Sequence, residues 1–157
     1  DELENVVVRQ LNAEGQTLAT VESGTGGLLS HRLTSVREYE RCYLGGLILP
    51  SETSQQRELS LDAALFADGG GTSAKIAEEL AVRCRARLQA DFGLAVTRDR
   101  ERAAIDDPSQ PAAFVALAAD QGVRATPVHR IGNRAIHRSR TVKTALNLLR
   151  LHLLGEP

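Results

Sequence analysis

The chain has 157 residues, 42% of them apolar, with a formal net charge of -1 and a pI near 6.5. That length and apolar content are enough for one sizeable core, so one domain over residues 1–157 is expected. The basic residues are dispersed, unlike the basic block that tracks nucleic acid, and no apolar run approaches the ~18 residues of a membrane-spanning helix, so neither nucleic acid nor a membrane is expected as a partner.

The first segment, "DELENVVVRQLNAEG", places Leu3, Val6, Val7 and Leu11 at helical spacing and ends on Gly15, which predicts a helix. "TLATVE" reads as a short buried strand, followed by a helix over Gly24 to Leu33, so that Ser23 falls at a strand-to-helix junction. A polar stretch leads to "CYLGGLIL", a second buried strand in which Gly45 and Gly46 mark a bulge or a close backbone approach. "PSETSQQREL" is a break and a short helix. "DGGGTS" then punctuates before a long helix from Ser73 to about Leu88, with Ile76, Leu80 and Cys84 on its inner face.

"FGLAVT" and "AAFVALAA" are further strands, separated by the charged surface loop "RDRERAAIDDPSQP", where Asp106 and Asp107 ahead of Pro108 read as a turn. "ATPVHRI" reads as an edge strand, because Pro127 has no N–H for a central ladder. The last helix runs from Arg134 to about Leu154, with Val142, Leu146, Leu149 and Leu153 on one face. Alternating strands and helices predict a three-layer α/β/α sandwich around a mixed, mostly parallel sheet, antiparallel near Phe114 and Val128.

Cys42 and Cys84 lack ligand or disulfide spacing, and His31, His129, His137 and His152 lack metal-ligand spacing, so neither a metal nor a cofactor is expected. The polar, acidic N-terminus is unlike a signal peptide, and a cytoplasmic protein is expected. The chain contains no methionine, so upstream sequence is expected before residue 1.

The chemistry centres on "VESGTGGLLSHRL", Val21 to Leu33. Glycines beside a helix N-terminus let an anion approach unpaired N–H groups, so Ser23, Gly24, Thr25, Gly26 and Gly27 form a candidate phosphate or oxyanion cradle. The spacing matches neither a dinucleotide fingerprint nor a nucleophile elbow, and from spacing alone Ser23 reads first as an ordinary helix N-cap. "DGGGTSAK" lacks the Gly-Lys-Ser/Thr order of a phosphate loop and reads as a turn and helix cap.

"TLATVESGTGGLLSHRLTSV", with "CYLGGLIL", "GGTSAKIAEELA", "DFGLAVT" and "GNRAIHRSRTVKTALNLL", resembles the C-terminal domain of the CinA family in order and over the whole chain. That family includes stand-alone nicotinamide mononucleotide deamidases. The resemblance implies an amidohydrolase that releases ammonia and leaves nicotinic acid mononucleotide. It implies Ser23 as nucleophile, with Thr25, Gly26 and Gly27 lining the site and Gly46 beside it. Arg134 and Arg138 match family arginines able to pair with a phosphate. Self-association in the family implies a homodimer, and the implied ligand is a small nucleotide or another phosphate-bearing molecule.

Three departures qualify the implication. The family's Tyr-Ser-Asn-x-x-Lys motif, whose lysine would serve as base, falls on Pro50, Ser51, Glu52 and Gln55, and Gln55 takes no proton near pH 7. The family's glycine-rich loop after "LAVT" is replaced by a stretch without glycine between Gly93 and Gly122. Gly24 stands where the Ser-Cys-Thr-Gly-Gly motif has cysteine. The chain's two lysines, Lys75 and Lys143, are the remaining candidates for a lysine base. Two readings follow: a nucleotide-binding, regulatory or oligomerisation module with lost or weakened catalysis, and an active nicotinamide-nucleotide amidohydrolase acting through Ser23.

Overall fold

The protein is described by a computed structural model covering residues 2–67, 72–100 and 107–156. At its centre, β1 (Leu18–Glu22) runs parallel to β2 (Tyr43–Ile48) on one side and to β3 (Phe92–Val96) on the other. Two antiparallel pairings then add β4 (Ala113–Ala119) and the edge strand β5 (Gly122–Val128), giving the order β2-β1-β3-β4-β5. Only β4 opposes the common direction. This is the mixed sheet expected from the sequence, with β5 starting earlier than the proline-bearing segment alone indicates.

Helices α1 (Leu3–Glu14), α2 (Leu28–Thr34) and α5 (Arg134–Leu153) cover one face, while α3 (Glu52–Leu59) and α4 (Ala74–Leu88) cover the other. The two faces differ in side-chain size because successive strand residues point to opposite sides. Leu18, Phe92, Leu94, Val96, Val115 and Leu117 fill the α1/α5 core, whereas Ala19, Ala95, Ala116 and Ala118 face α4. Small residues let α4 lie close to the sheet. Gly93 is the limiting point: a Cβ there would collide with the Ala81 carbonyl oxygen and come within 2.8 Å of Arg85 Cβ.

Local signals explain most element ends. Gly15 takes the left-handed conformation (φ +65°) that stops α1, and the Ser73 side chain caps α4 by accepting from the Ile76 N–H. Ser51 caps α3 through a reciprocal pair with Ser54, each side chain accepting from the other's backbone N–H. The clearest shift is at α2, which begins at Leu28 with Gly27 as its cap and not at Gly24. Residues 24–27 form a turn, so Ser23 is not an N-cap. Among the described residues no helix is long and apolar enough to cross a membrane.

Candidate functional site

β1 is joined to β2 through α2 on one face of the sheet, and β2 to β3 through α3 and α4 on the other. Connections that depart to opposite faces leave a crevice at the carboxyl ends of the strands where they diverge, the usual ligand position in an open α/β sheet. Ser23 and Gly24 sit at that point. Their N–H groups extend the ladder to β3 by donating to Val96 O and Thr97 O, both at 3.1 Å.

Ser23 is buried, and its side chain projects toward α3. The Gln55 amide, wholly buried, donates through Nε2 to Ser23 Oγ at 3.0 Å and to Leu49 O at 3.3 Å. Capping at Ser51 fixes the helix that aims it. Gln55 Oε1 is buried with no hydrogen-bond partner among the described residues, a costly arrangement on the order of 1–3 kcal/mol. The residue in the expected base position therefore contacts the serine directly, but as a donor that cannot accept its proton. Neither lysine takes its place: Lys75 pairs with Glu79 at 3.5 Å, and Lys143 lies on the exposed face of α5.

The cradle around residues 24–27 holds an anion of its own. The buried Glu22 carboxylate accepts through Oε1 from Thr25 Oγ1 (2.5 Å) and Leu29 N (3.0 Å), and through Oε2 from Ser30 N (2.8 Å) and Ser30 Oγ (2.6 Å). A carboxylate is favoured at a helix N-terminus for the same reason a phosphate is. Gly26 N–H and Leu28 N–H close the turn on Ser23 O and Thr25 O. The N–H groups of Thr25 and Gly27 are left without a partner among the described residues.

Gly46 lies behind this network. A Cβ at Gly46 would overlap Thr20 Oγ1 and meet Tyr43 OH at 2.5 Å and Ser30 Oγ at 3.3 Å. Tyr43 OH is 2.6 Å from Thr20 Oγ1 and donates to Ser30 Oγ at 3.1 Å, linking β2 to the Glu22 cap. Burial pushes the Tyr43 hydroxyl above its ordinary pKa, against the opposing pull of the Ser30 and Thr20 hydrogen bonds.

On the α5 side, His137 Nε2 lies 3.1 Å from Asp99 Oδ1, and that oxygen would be 3.0 Å from a Cβ on Gly24. Arg138 follows His137 and has a buried Nε without a partner among the described residues, while Arg134 is exposed at the first position of α5. Neither arginine bonds to the Ser23 turn. Sequence reasoning missed Glu22, Asp99 and His137 as site residues. An acid closing an apolar strand marked Glu22, and the helical spacing of His137 with Thr141 and Ala145 marked it as inward-facing; nothing marked Asp99. The Asp106 half of the acidic pair lies outside the described residues, while Asp107 accepts from Ser109 N–H and Oγ in a turn.

A groove of about 680 Å³ lies elsewhere, on the outer face of α5, lined by Ile131, Ile136, Arg140 and Lys143 among others. It includes none of the Ser23 residues.

Residues 1–153 match the CinA C-terminal domain model. The CinA-like protein of Frankia casuarinae is 34% identical over 157 residues, covering 100% of this chain and 36% of that protein. The chain thus spans little more than a third of that relative's length. Among solved structures, a CinA superfamily protein from Klebsiella pneumoniae superposes with a TM-score of 0.87 at 22% identity, covering 98% of this chain and 96% of the other. The competence/damage inducible protein CihA from Agrobacterium tumefaciens gives 0.80 at 23% identity, with 98% and 97% covered. These two likenesses concern the fold, and the family match carries the assignment: the chain belongs to the CinA family, as a CinA C-terminal domain.

Proposed function

We propose that this CinA domain binds a nicotinamide nucleotide, or a closely related phosphate-bearing ligand, with amide hydrolysis lost or strongly weakened, and serves as a binding, regulatory or oligomerisation module. The observation that carries this reading is the Gln55 Nε2 hydrogen bond to Ser23 Oγ. A serine hydroxyl needs a base within hydrogen-bond reach to attack a carboxamide, and losing a general base typically costs ~10²–10⁴ in rate. Here that place holds an amide.

The ligand half of the reading is supported by the place of Ser23 at the carboxyl edge of the sheet, where the connections diverge, and by the N–H groups of Thr25 and Gly27, which have no partner among the described residues. Arg138 is a candidate for the phosphate, its Nε having no partner among the described residues. The same N–H groups also favour the second reading, an active amidohydrolase, since they are the donors an oxyanion would use.

The test is calorimetric titration with nicotinamide mononucleotide beside ammonia release at high protein concentration, with Ser23→Ala as the blank. Saturable binding with equal ammonia release in both proteins is expected. Ammonia release that disappears in the variant establishes the amidohydrolase instead, and absence of binding removes the nucleotide reading.

A further inference from the structure

Gly24 is the residue that sets this turn apart from the Ser-Cys-Thr-Gly-Gly pattern, and the structure shows what takes the vacated space. A Cβ at position 24 would lie 3.0 Å from Asp99 Oδ1, 3.1 Å from Asp99 N and 3.1 Å from Thr97 O. The carboxylate is therefore packed against the backbone beside Ser23, with no side chain between them. The Asp99 side chain is 26% exposed and so partly reaches solvent, whereas the His137 side chain bonded to it is 1% exposed.

The contact with His137 holds Asp99 in place. A carboxylate only accepts, so His137 Nε2 carries the proton it donates to Oδ1. Oδ2 is left with no hydrogen-bond partner among the described residues. His137 Nδ1 and Gln55 Oε1 are also buried without hydrogen-bond partners among the described residues.

We propose that Asp99, positioned by His137, is a specificity residue that selects a cationic aromatic ring, a pyridinium, over its neutral counterpart at the Ser23–Gly24 crevice. This deepens the nicotinamide-nucleotide reading above and rests on it. A ligand whose carboxamide meets Ser23 would bring its ring past Gly24, against the Asp99 carboxylate that packs there. A positive charge on that ring is attracted by the half-buried carboxylate more strongly than it would be in open water. Asp99 supplies charge here and His137 supplies orientation; neither is assigned a proton transfer.

The experiment compares binding of nicotinamide mononucleotide with its reduced dihydro form, which has the same phosphate, ribose and carboxamide but an uncharged ring. Titrations at pH 8 use the wild-type protein, Asp99→Asn and His137→Gln. The wild type is expected to prefer the oxidised form by about tenfold, the size of one partly screened charge pair. Asp99→Asn should abolish the preference while leaving affinity for the reduced form unchanged, a pattern that a purely structural role does not produce. His137→Gln keeps a donor for Asp99 and should retain most of the preference. If Asp99→Asn does not fold, Asp99→Ser takes its place.

Equal wild-type affinity for the two forms, or an Asp99 variant that weakens both equally, overturns the assignment while leaving the nucleotide reading intact. Binding of neither form overturns that reading, and this inference with it.

Discussion

Glu22 caps the helix that follows it, its carboxylate accepting from Ser30 through both the backbone N–H at 2.8 Å and Oγ at 2.6 Å. With Leu29 N–H and Thr25 Oγ1 on the other oxygen, a wholly buried carboxylate is satisfied entirely by donors. Glu22→Gln would place an NH₂ group against some of those donors. The expected cost is about 2–4 kcal/mol, between a lost charge-assisted bond and a broken buried ionic site, read as a lower urea midpoint. A change below ~0.5 kcal/mol, the usual range for a surface substitution, would show that the cap contributes little.

The close approach of Thr20, Tyr43 and Gly46 gives a second test. Gly46→Ala adds a Cβ into the space of Thr20 Oγ1 and Tyr43 OH, and neither atom is the far end of a flexible chain. Overpacking of this kind typically costs ~1–3 kcal/mol. Adding Tyr43→Phe removes one of the two obstructing atoms, so the double variant should recover part of the loss in denaturant unfolding. Strict additivity of the two changes would contradict the steric account.

Alkaline conditions should weaken the fold. Burial pushes the Cys84 thiol up to about 12 from the ordinary 9.0, and burial also raises the Cys42 thiol and the Tyr43 hydroxyl. Above the ordinary thiol pKa the unfolded chain releases a proton that folded Cys84 retains. Its contribution is therefore fully present below pH 9.0 and lost as pH rises toward about 12. Within that window one such group removes roughly 1.4 kcal/mol per pH unit. Urea midpoints at pH 8 and pH 10.5 should fall in the wild type and fall less in Cys84→Ala; equal slopes would point to another titrating group. Cys84 should also resist thiol reagents until the protein unfolds.

The order of strands and helices was legible because apolar runs, glycines and capping residues are local signals. The start of α2 was not: "SGTGG" has the glycines of a helix-opening turn, yet Gly26 and Gly27 adopt φ +61° and +108°, which keeps the chain out of the helix until Leu28. Gln55 was singled out only because the family resemblance sets it where the motif lysine falls, and the fold places it on Ser23. Asp99 and His137 are 38 residues apart and meet only because the C-terminal end of β3 and the first turn of α5 lie at the same edge, a relation no local pattern encodes. Glu22 stood out as an acid closing an apolar strand, but its place on the helical side of the anion cradle depends on the turn that delays α2 to Leu28.

Gln55→Lys tests directly whether the missing base is what limits the site. A lysine at this position starts from a backbone already fixed by the Ser51 cap, within reach of Ser23 Oγ and Leu49 O. Burial lowers the pKa of a lysine, which brings its neutral, proton-accepting form toward neutral pH. It also removes the unpaired Gln55 Oε1. The variant is expected to raise ammonia release from nicotinamide mononucleotide by roughly 10²-fold or more over wild type, the lower end of what a general base contributes. Because the gain works through the serine, Ser23→Ala should erase it in the double variant while leaving the wild-type background unchanged. A folded Gln55→Lys protein that binds the nucleotide without turnover would place the defect elsewhere. The glycine-free stretch after β3 would then be the next region to replace.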